Sequence, residues 1–189
     1  MPDAGSQSRP GASPADEALW KRIFLLHREL EIITDYGVAR SLPLIPEETN
    51  LVACDKNPEG FDVLLYPDAA RQWLAMKAQA KEDGASLVVY SGYRSIDRQT
   101  DLVRSRLAGG LSHKETLTLL TAPGYSEHHT GRAVDLGEPG GPVRDETFAK
   151  TTAYLWLTWH ARDFGFVMSY PRDNRHGMGF QPWHWCWRG

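Results

Sequence analysis

The chain has 189 residues, of which 41% are hydrophobic and 24% are charged, and its formal net charge is −3. These values are typical of one globular domain, and the lack of a basic stripe argues against nucleic acid as a partner. No run of about eighteen apolar residues occurs, so the sequence predicts no transmembrane segment.

The amino terminus is rich in Gly, Ser, Pro and Ala. We expect residues 1–14 to form a disordered tail, which leaves 15–189 as a single domain. The tail lacks the basic and apolar regions of a secretory signal. From this stretch alone, either a cytoplasmic protein or an exported protein whose signal has been removed is possible.

Helices dominate the predicted first half of the chain. Hydrophobic residues at helical spacing predict a helix over 16–33. A second helix is predicted over 67–84, with Pro67 in its first turn and Gly84 at its end. The stretch 36–57 between them is predicted to be irregular, with a short strand possible at 51–54.

The middle of the chain is predicted to contain one strand followed by two helices. SLVVYSG (86–92) predicts a buried strand, and a helix is expected over 95–108. Ser112 and Glu115 have the spacing of a capping box, which predicts a short helix through Leu120.

Strands cluster towards the carboxyl terminus. They are predicted at 132–136, in FVMSY (166–170) and in WHWCW (183–187), with one long helix over 147–164 that Gly165 ends. Because helices precede strands without β-α-β alternation, the sequence predicts an α+β fold, with a small antiparallel sheet and helices packed around it.

The stretch PGYSEHHTGRAVDLG (123–137) contains the highest density of chemically active side chains. His128 and Asp135 are too far apart for one helix face, but their spacing suits a loop followed by a short strand. Catalytic zinc takes three protein ligands, and His128, Asp135 and His184 would supply them. From spacing alone, a hydrogen-bonded turn is the commoner arrangement for such a pair.

The other histidines are expected to have structural roles. His129 points away from His128 on any extended backbone, so at most one of the pair faces a shared site. The remaining histidines lack suitable partners in sequence or lie within predicted helices: His27, His113, His160 and His176.

Three ordered motifs, SGYRSIDRQ, SEHHTGRAVDL and QPWHW, resemble those of the zinc D-alanyl-D-alanine carboxypeptidase family related to the vancomycin-resistance peptidases. The family pattern S-x-H-x-x-G-x-A-x-D is matched at every fixed position: Ser126, His128, Gly131, Ala133 and Asp135. The resemblance runs from about Leu64 to the carboxyl terminus. It implies the lysostaphin/D-Ala-D-Ala/hedgehog fold group.

The resemblance implies a role for each matching residue. His128, Asp135 and His184 are similar to the family's ligands for one zinc ion per chain. Arg94 resembles the arginine that stabilises negative charge on the substrate carbonyl, although without the motif a surface arginine would be the simpler interpretation.

Two further positions, Gln99 and Ser126, resemble those that line the substrate's terminal residue. Ser126 could equally be a turn or cap residue. Trp183 and Trp185 are expected to hold the His184 ring from both sides, as core or as groove, and Trp183 is also a candidate substrate contact.

Gln181 departs from the family pattern. The family has a glutamate there, which accepts a proton from the attacking water and returns one to the leaving amine. An amide can hold water but cannot exchange that proton at neutral pH. The resemblance therefore implies binding of zinc and substrate with slow or absent hydrolysis. A laboratory Glu→Gln substitution or a natural loss of catalysis would explain it, and the otherwise intact motifs favour the first.

The implied function is removal of a terminal D-alanine from peptidoglycan stem peptides by a monomer in the periplasm or outside the cell. A cytoplasmic role in recycling wall peptides stays open. The alternatives are L,D-carboxypeptidase or endopeptidase action, a non-catalytic wall-peptide-binding module, and a metal-stabilised structural domain as in hedgehog relatives. Cys54 and Cys186 could form a disulfide or remain thiols.

Overall fold

The computed structural model describes residues 13–189, so the predicted tail, 1–14, lies outside the described residues except for its last two. In chain order the elements are α1 (Pro14–Glu29), α2 (Tyr36–Ala39), β1 (Val52–Lys56), β2 (Asp62–Leu65), α3 (Pro67–Glu82), β3 (Val88–Ser91), α4 (Ile96–Ala108), α5 (His113–Leu119), β4 (Ala133–Gly137), α6 (Thr152–His160), β5 (Phe166–Met168) and β6 (His184–Trp187). None of the helices within 13–189 is both long and apolar enough to cross a bilayer.

The predicted α+β fold is confirmed. Four antiparallel strands form the main sheet in the order β3-β4-β6-β5, and β1 pairs with β2 in a separate hairpin. β2 was not among the predicted strands. The register of the main sheet places Asp135 on β4 opposite His184 on β6 and opposite Ser91 on β3. The sheet therefore brings residues from three distant parts of the sequence side by side.

Two hydrophobic clusters support the sheet. The larger one packs α3 and α6 against the strands and includes Trp73, Leu136 and Phe148, which are fully buried. The smaller one joins the end of α1 to α2, α4 and α5 through Leu30, Tyr36, Val103 and Leu117. Burial of this apolar area holds the helices around the sheet.

Capping residues determine where the helices begin. Ser13 and Asp16 form a capping box, so α1 begins at Pro14, inside the predicted tail. The predicted box of Ser112 and Glu115 is confirmed at α5.

The long helix predicted over 147–164 is wrong as a single element. A 3-10 helix, Glu146–Lys150, precedes α6, and another, Ala161–Phe164, follows it. Thr151 separates the first two because its backbone is extended and its hydroxyl accepts a hydrogen bond from the Tyr154 amide. Gly165, at φ 77°, ends the segment as expected.

Replacing Trp73 by alanine should lower the free energy of unfolding by about 3–5 kcal/mol, because it leaves a cavity in the larger cluster. It also removes the indole hydrogen bond to Asp55 Oδ2 (3.0 Å). Trp159→Ala is the matched control, since that side chain is 80% exposed and its loss should cost within about 0.5 kcal/mol. Urea unfolding measures both, and equal losses would contradict this assignment of the core.

Candidate metal centre

Three buried side chains from separate elements converge at one end of the main sheet. His128 lies in the 3-10 helix Glu127–Thr130, Asp135 in the middle of β4, and His184 at the start of β6. Asp135 Oδ1 is 3.2 Å from His128 Nε2 and 3.2 Å from His184 Nδ1. All three ligand atoms lie within 4.8 Å of one another. The trio that the sequence predicted is therefore brought together.

The outer nitrogen of each imidazole is engaged by a neighbour. His128 Nδ1 is 2.6 Å from the Gly92 carbonyl oxygen, to which it donates, and His184 Nε2 is 3.0 Å from Glu127 Oε2. His128 Nε2 and His184 Nδ1 are therefore the nitrogens that face Asp135, and these are the atoms that a metal ion would use. Such outward hydrogen bonds fix the tautomer of metal-binding histidines. Two nitrogens and one carboxylate oxygen match the donor set of catalytic zinc.

Burial and neighbouring charges set the pKa values of the three side chains. Burial lowers the pKa of His128 to about 4, so its ring is neutral. Burial also opposes charge on His184, but hydrogen bonds to Asp135 and Glu127 raise its pKa to about 9. Burial would raise the pKa of Asp135, yet the hydrogen bonds from His128 and His184 and the charge of Arg144 hold it well below its ordinary value. Both carboxylates already have cationic partners, since Asp135 pairs with Arg94 and Arg144 and Glu127 pairs with Arg188. A metal ion would take the place of the proton that His184 holds between Asp135 and Glu127.

Arg94 is buried beside the trio. Its side chain donates from Nη2 to Asp135 Oδ2 (3.1 Å) and from Nη1 to Gln99 Oε1 (2.8 Å). Burial lowers the pKa of Arg94 to about 10, so the guanidinium remains charged at neutral pH. With 8% of its surface exposed, it is not the surface arginine considered above.

Gln99 supports Arg94 from behind. It is fully buried, and its Nε2 donates to the Thr121 carbonyl oxygen (2.7 Å) while its Oε1 accepts from Arg94. Both ends of the amide are thus occupied within the protein. Direct contact between Gln99 and a substrate stays a prediction, whereas its bracing of Arg94 is visible.

A small cavity of about 80 Å³ opens beside the trio. Its lining includes Ser126, Gln181 and Trp183, which are the other predicted site residues. The Ser126 hydroxyl accepts a hydrogen bond from the His128 amide (3.3 Å), so this residue caps the 3-10 helix and also lines the cavity. The cap and pocket interpretations of Ser126 are therefore compatible.

Gln181 is placed by a tight turn that leads into β6. The backbone N–H of His184 donates to the Gln181 carbonyl oxygen (3.1 Å), and the backbone N–H of Gln181 donates to the Tyr170 carbonyl oxygen (3.0 Å). Pro182 occupies the second position of this turn, where its fixed φ is favourable. The Gln181 side chain donates from Nε2 to the Leu119 carbonyl oxygen (3.0 Å). An ionised carboxylate at this position could not make that hydrogen bond.

The expected tryptophan clamp on His184 is wrong. Trp185 follows His184 on β6 and therefore points to the opposite face of the sheet, whereas Trp183 precedes the strand and lines the small cavity. Both tryptophans belong to the larger hydrophobic cluster. The ring stacked on His184 is Tyr170, with centroids 4.9 Å apart and an interplanar angle of 29°.

Three residues of the site were missed by sequence reasoning: Glu127, Arg144 and Tyr170. Glu127 lies inside the matched motif, next to His128, and this position is the signal that could have found it. Arg144 donates from Nε to Asp135 Oδ2 (3.1 Å), and no local pattern marked it or Tyr170.

The histidines assigned structural roles lie outside the trio. His129 Nδ1 is 2.6 Å from the Arg94 carbonyl oxygen, and His129 Nε2 accepts from the Gly124 amide (3.1 Å). His27 and His113 contact the backbone carbonyl oxygens of Pro123 and Leu30. Cys54 and Cys186 are free thiols.

The model of one family, VanY: D-alanyl-D-alanine carboxypeptidase, matches residues 62–189. YodJ of Bacillus subtilis is 34% identical over 122 residues, which cover 62% of this chain and 44% of that protein. A D-alanyl-D-alanine carboxypeptidase of Enterococcus faecalis is 30% identical over 143 residues, or 70% of this chain and 50% of the relative. The chain spans about half the length of these two curated relatives.

Solved structures have the same fold. The LdcB LD-carboxypeptidase is 28% identical, with a TM-score of 0.68 over 78% of this chain and 72% of that one. A D,D-pentapeptidase VanY from a VanB-type resistance cassette, in complex with Zn(II), is 25% identical, with a TM-score of 0.59 over 78% and 85% of the two chains.

We expect the purified protein to bind about one zinc ion per chain and Glu127→Ala to weaken that binding by about 10–100-fold, because His184 loses the acceptor that orients its ring. Competition with a chromophoric chelator measures the affinity. Glu146→Ala is the control, since Glu146 pairs with Arg172 at the surface (3.2 Å). Absence of zinc from the wild-type protein would refute the metal centre, and unchanged affinity in Glu127→Ala would refute the role of Glu127.

Proposed function

The chain belongs to the VanY family of D-alanyl-D-alanine carboxypeptidases, and we propose that it binds zinc and peptidoglycan stem peptides ending in D-alanine but hydrolyses them slowly or not at all. The expectation of slow or absent hydrolysis depends on one observation, the amide side chain of Gln181 at the site. We expect a monomer that acts in the periplasm or outside the cell, where such peptides occur.

His128, Asp135 and His184 would hold the zinc ion. Their mutual distances, their burial and the outward hydrogen bonds of both imidazoles support this assignment. A related VanY was solved with Zn(II). Zinc supplies Lewis acidity towards water and towards the peptide carbonyl when it is bound.

Arg94 would stabilise the negative charge that develops on the substrate carbonyl oxygen. Its guanidinium is held by Gln99 and Asp135, so little reorganisation is needed when the charge appears. Fixed donors of this kind are most effective in sites that exclude water. The burial of Arg94 supports this role.

Gln181 would hold water or the substrate amide without moving a proton. Its Nε2 group is committed to the Leu119 carbonyl oxygen, which leaves Oε1 as an acceptor. An amide oxygen is too weakly basic to take a proton at neutral pH. The missing general base should lower the rate by about 10²–10⁴-fold, with binding largely retained.

The small cavity has a size that suits the terminal D-alanine, which hydrolysis would release. Its volume of about 80 Å³ and its lining, which includes Leu119, Leu120 and Met178, suit a short apolar side chain such as that of alanine. The same cavity would serve either a D,D- or an L,D-carboxypeptidase, and the similarity to an LD-carboxypeptidase keeps the second activity as the alternative.

Gln181→Glu should raise kcat/KM on a stem peptide by about 10²–10⁴-fold in the presence of zinc, because it restores a group that can exchange the proton. Release of D-alanine measures the rate. The control combines Gln181→Glu with His128→Ala, which removes a metal ligand and should abolish the gain. If Gln181→Glu hydrolyses no wall peptide although zinc and peptide are bound, the protein is a binding module. If no peptide binds and chelation only lowers the Tm, the metal has a structural role.

Gln181→Glu should also lower the free energy of unfolding by about 1–3 kcal/mol, because it leaves the Leu119 carbonyl oxygen without the Nε2 donor (3.0 Å). Urea unfolding of the two proteins measures this loss, and an unchanged free energy of unfolding would contradict the hydrogen bond.

Peptide length separates the two activities. With Gln181→Glu, a D,D-carboxypeptidase should release D-alanine from a pentapeptide stem and leave the tetrapeptide intact. An L,D-carboxypeptidase should convert the tetrapeptide to a tripeptide. Mass spectrometry of both digests distinguishes them, and cleavage within the stem would instead indicate an endopeptidase.

A further inference from the structure

Arg144 is directed into the site by an unusual backbone. It ends the loop EPGGPVR that follows β4, and its φ of 49° lies in the left-handed region that an arginine rarely adopts. Its Nε donates to Asp135 Oδ2 (3.1 Å). Conformations of this kind persist only where the surroundings impose them, and they are concentrated at functional sites.

The outer edge of the Arg144 guanidinium is free to bind a ligand. Within residues 13–189, Asp135 is the hydrogen-bond partner of this side chain, through Nε alone, and 43% of the side chain is exposed. Nη1 and Nη2 remain available. A planar pair of N–H donors matches a carboxylate in bidentate fashion.

Arg144 lies at the junction of two cavities. It lines the small cavity described above and also a larger one of about 390 Å³. Arg94 and Leu102 line both cavities as well. The larger cavity extends from this junction between the β1–β2 hairpin and α4, so it can hold the part of a peptide that precedes the bond at the metal.

The larger cavity has charges of both signs. Arg98 on α4 adds a second exposed guanidinium, whereas Glu59 and Asp62 line it from the hairpin. Asp62 is paired with Lys56 (2.7 Å). A side chain that carries both a carboxylate and an amino group would meet a complementary partner for each.

This inference rests on the proposed function and names its substrate more closely. We propose that the larger cavity binds the acyl side of the stem peptide and that Arg144 binds a side-chain carboxylate there. The preferred substrate therefore has, one or two residues before the scissile bond, an amino acid whose long side chain ends in a carboxylate and an amine. Arg144 is a specificity-determining residue.

Two synthetic pentapeptides test this proposal. They are identical except for the third residue, which is meso-diaminopimelate in one and L-lysine in the other, so they differ by one carboxylate. Calorimetry on the zinc-loaded protein should show about 10–100-fold tighter binding of the diaminopimelate peptide, as expected for a charge-assisted bidentate contact. Because binding is measured, slow hydrolysis does not obscure the result.

Arg144→Met should reduce the ratio of the two affinities to about one. Arg71→Met is the matched control, since Arg71 lines neither cavity and pairs with Asp68 on α3 (2.7 Å), and it should keep the wild-type ratio. The ratio is taken within each variant, so a general weakening cancels. If the methionine variant loses zinc, Arg144→Gln, which keeps a donor near Asp135, is used and its ratio is expected to fall likewise.

The outcomes separate this inference from the proposed function. If neither peptide binds the wild-type protein, the proposed function fails. If both bind equally, or if the preference survives loss of Arg144, the carboxylate site is refuted and the proposed function stands. If Arg144→Met weakens both peptides by the same factor, Arg144 binds a carboxylate common to both, such as the terminal one, and the specificity role is refuted.

Discussion

The carboxylate of Asp135 is the interaction on which the rest of the site depends. Its Oδ1 atom lies between the imidazoles of His128 and His184, and its Oδ2 atom accepts from Arg94 and Arg144. A buried charge is costly unless it is paired and hydrogen-bonded, and this one has partners on every side. Removing any partner therefore changes the environment of the others.

The sheet makes this arrangement possible. Asp135 is in the central strand β4, between β3 and β6, so its neighbours are set by strand register rather than by flexible loops. A shift of one residue would turn Asp135 to the opposite face and separate it from His184. The larger hydrophobic cluster, with Trp185 and Leu136, is on that opposite face, and its burial opposes any such shift. The core and the site thus stabilise the same register.

Local patterns predicted most elements, because caps and helical spacing are short-range features, whereas the metal trio was implied by the resemblance to the family motifs. Long-range contacts were not predictable in this way. The partner of the Gln181 amide is a carbonyl oxygen 62 residues earlier in the chain. Arg144 reaches Asp135 from a left-handed backbone conformation, which no local pattern marks. The break at Thr151 was not predicted because capping outweighs helical propensity there. Trp185 does not hold the His184 ring because neighbouring strand residues point to opposite faces.

The shared carboxylate has a thermodynamic consequence. A peptide that binds Arg94 or Arg144 would weaken their hydrogen bonds to Asp135 Oδ2. The carboxylate would then carry more negative charge, and Oδ1 would bind a cation between the histidines more tightly. Binding free energies are linked reciprocally, so the cation must then strengthen the binding of the peptide by the same factor. If the metal and the peptide bind as proposed, Asp135 would link the occupancy of the metal centre to that of the two cavities.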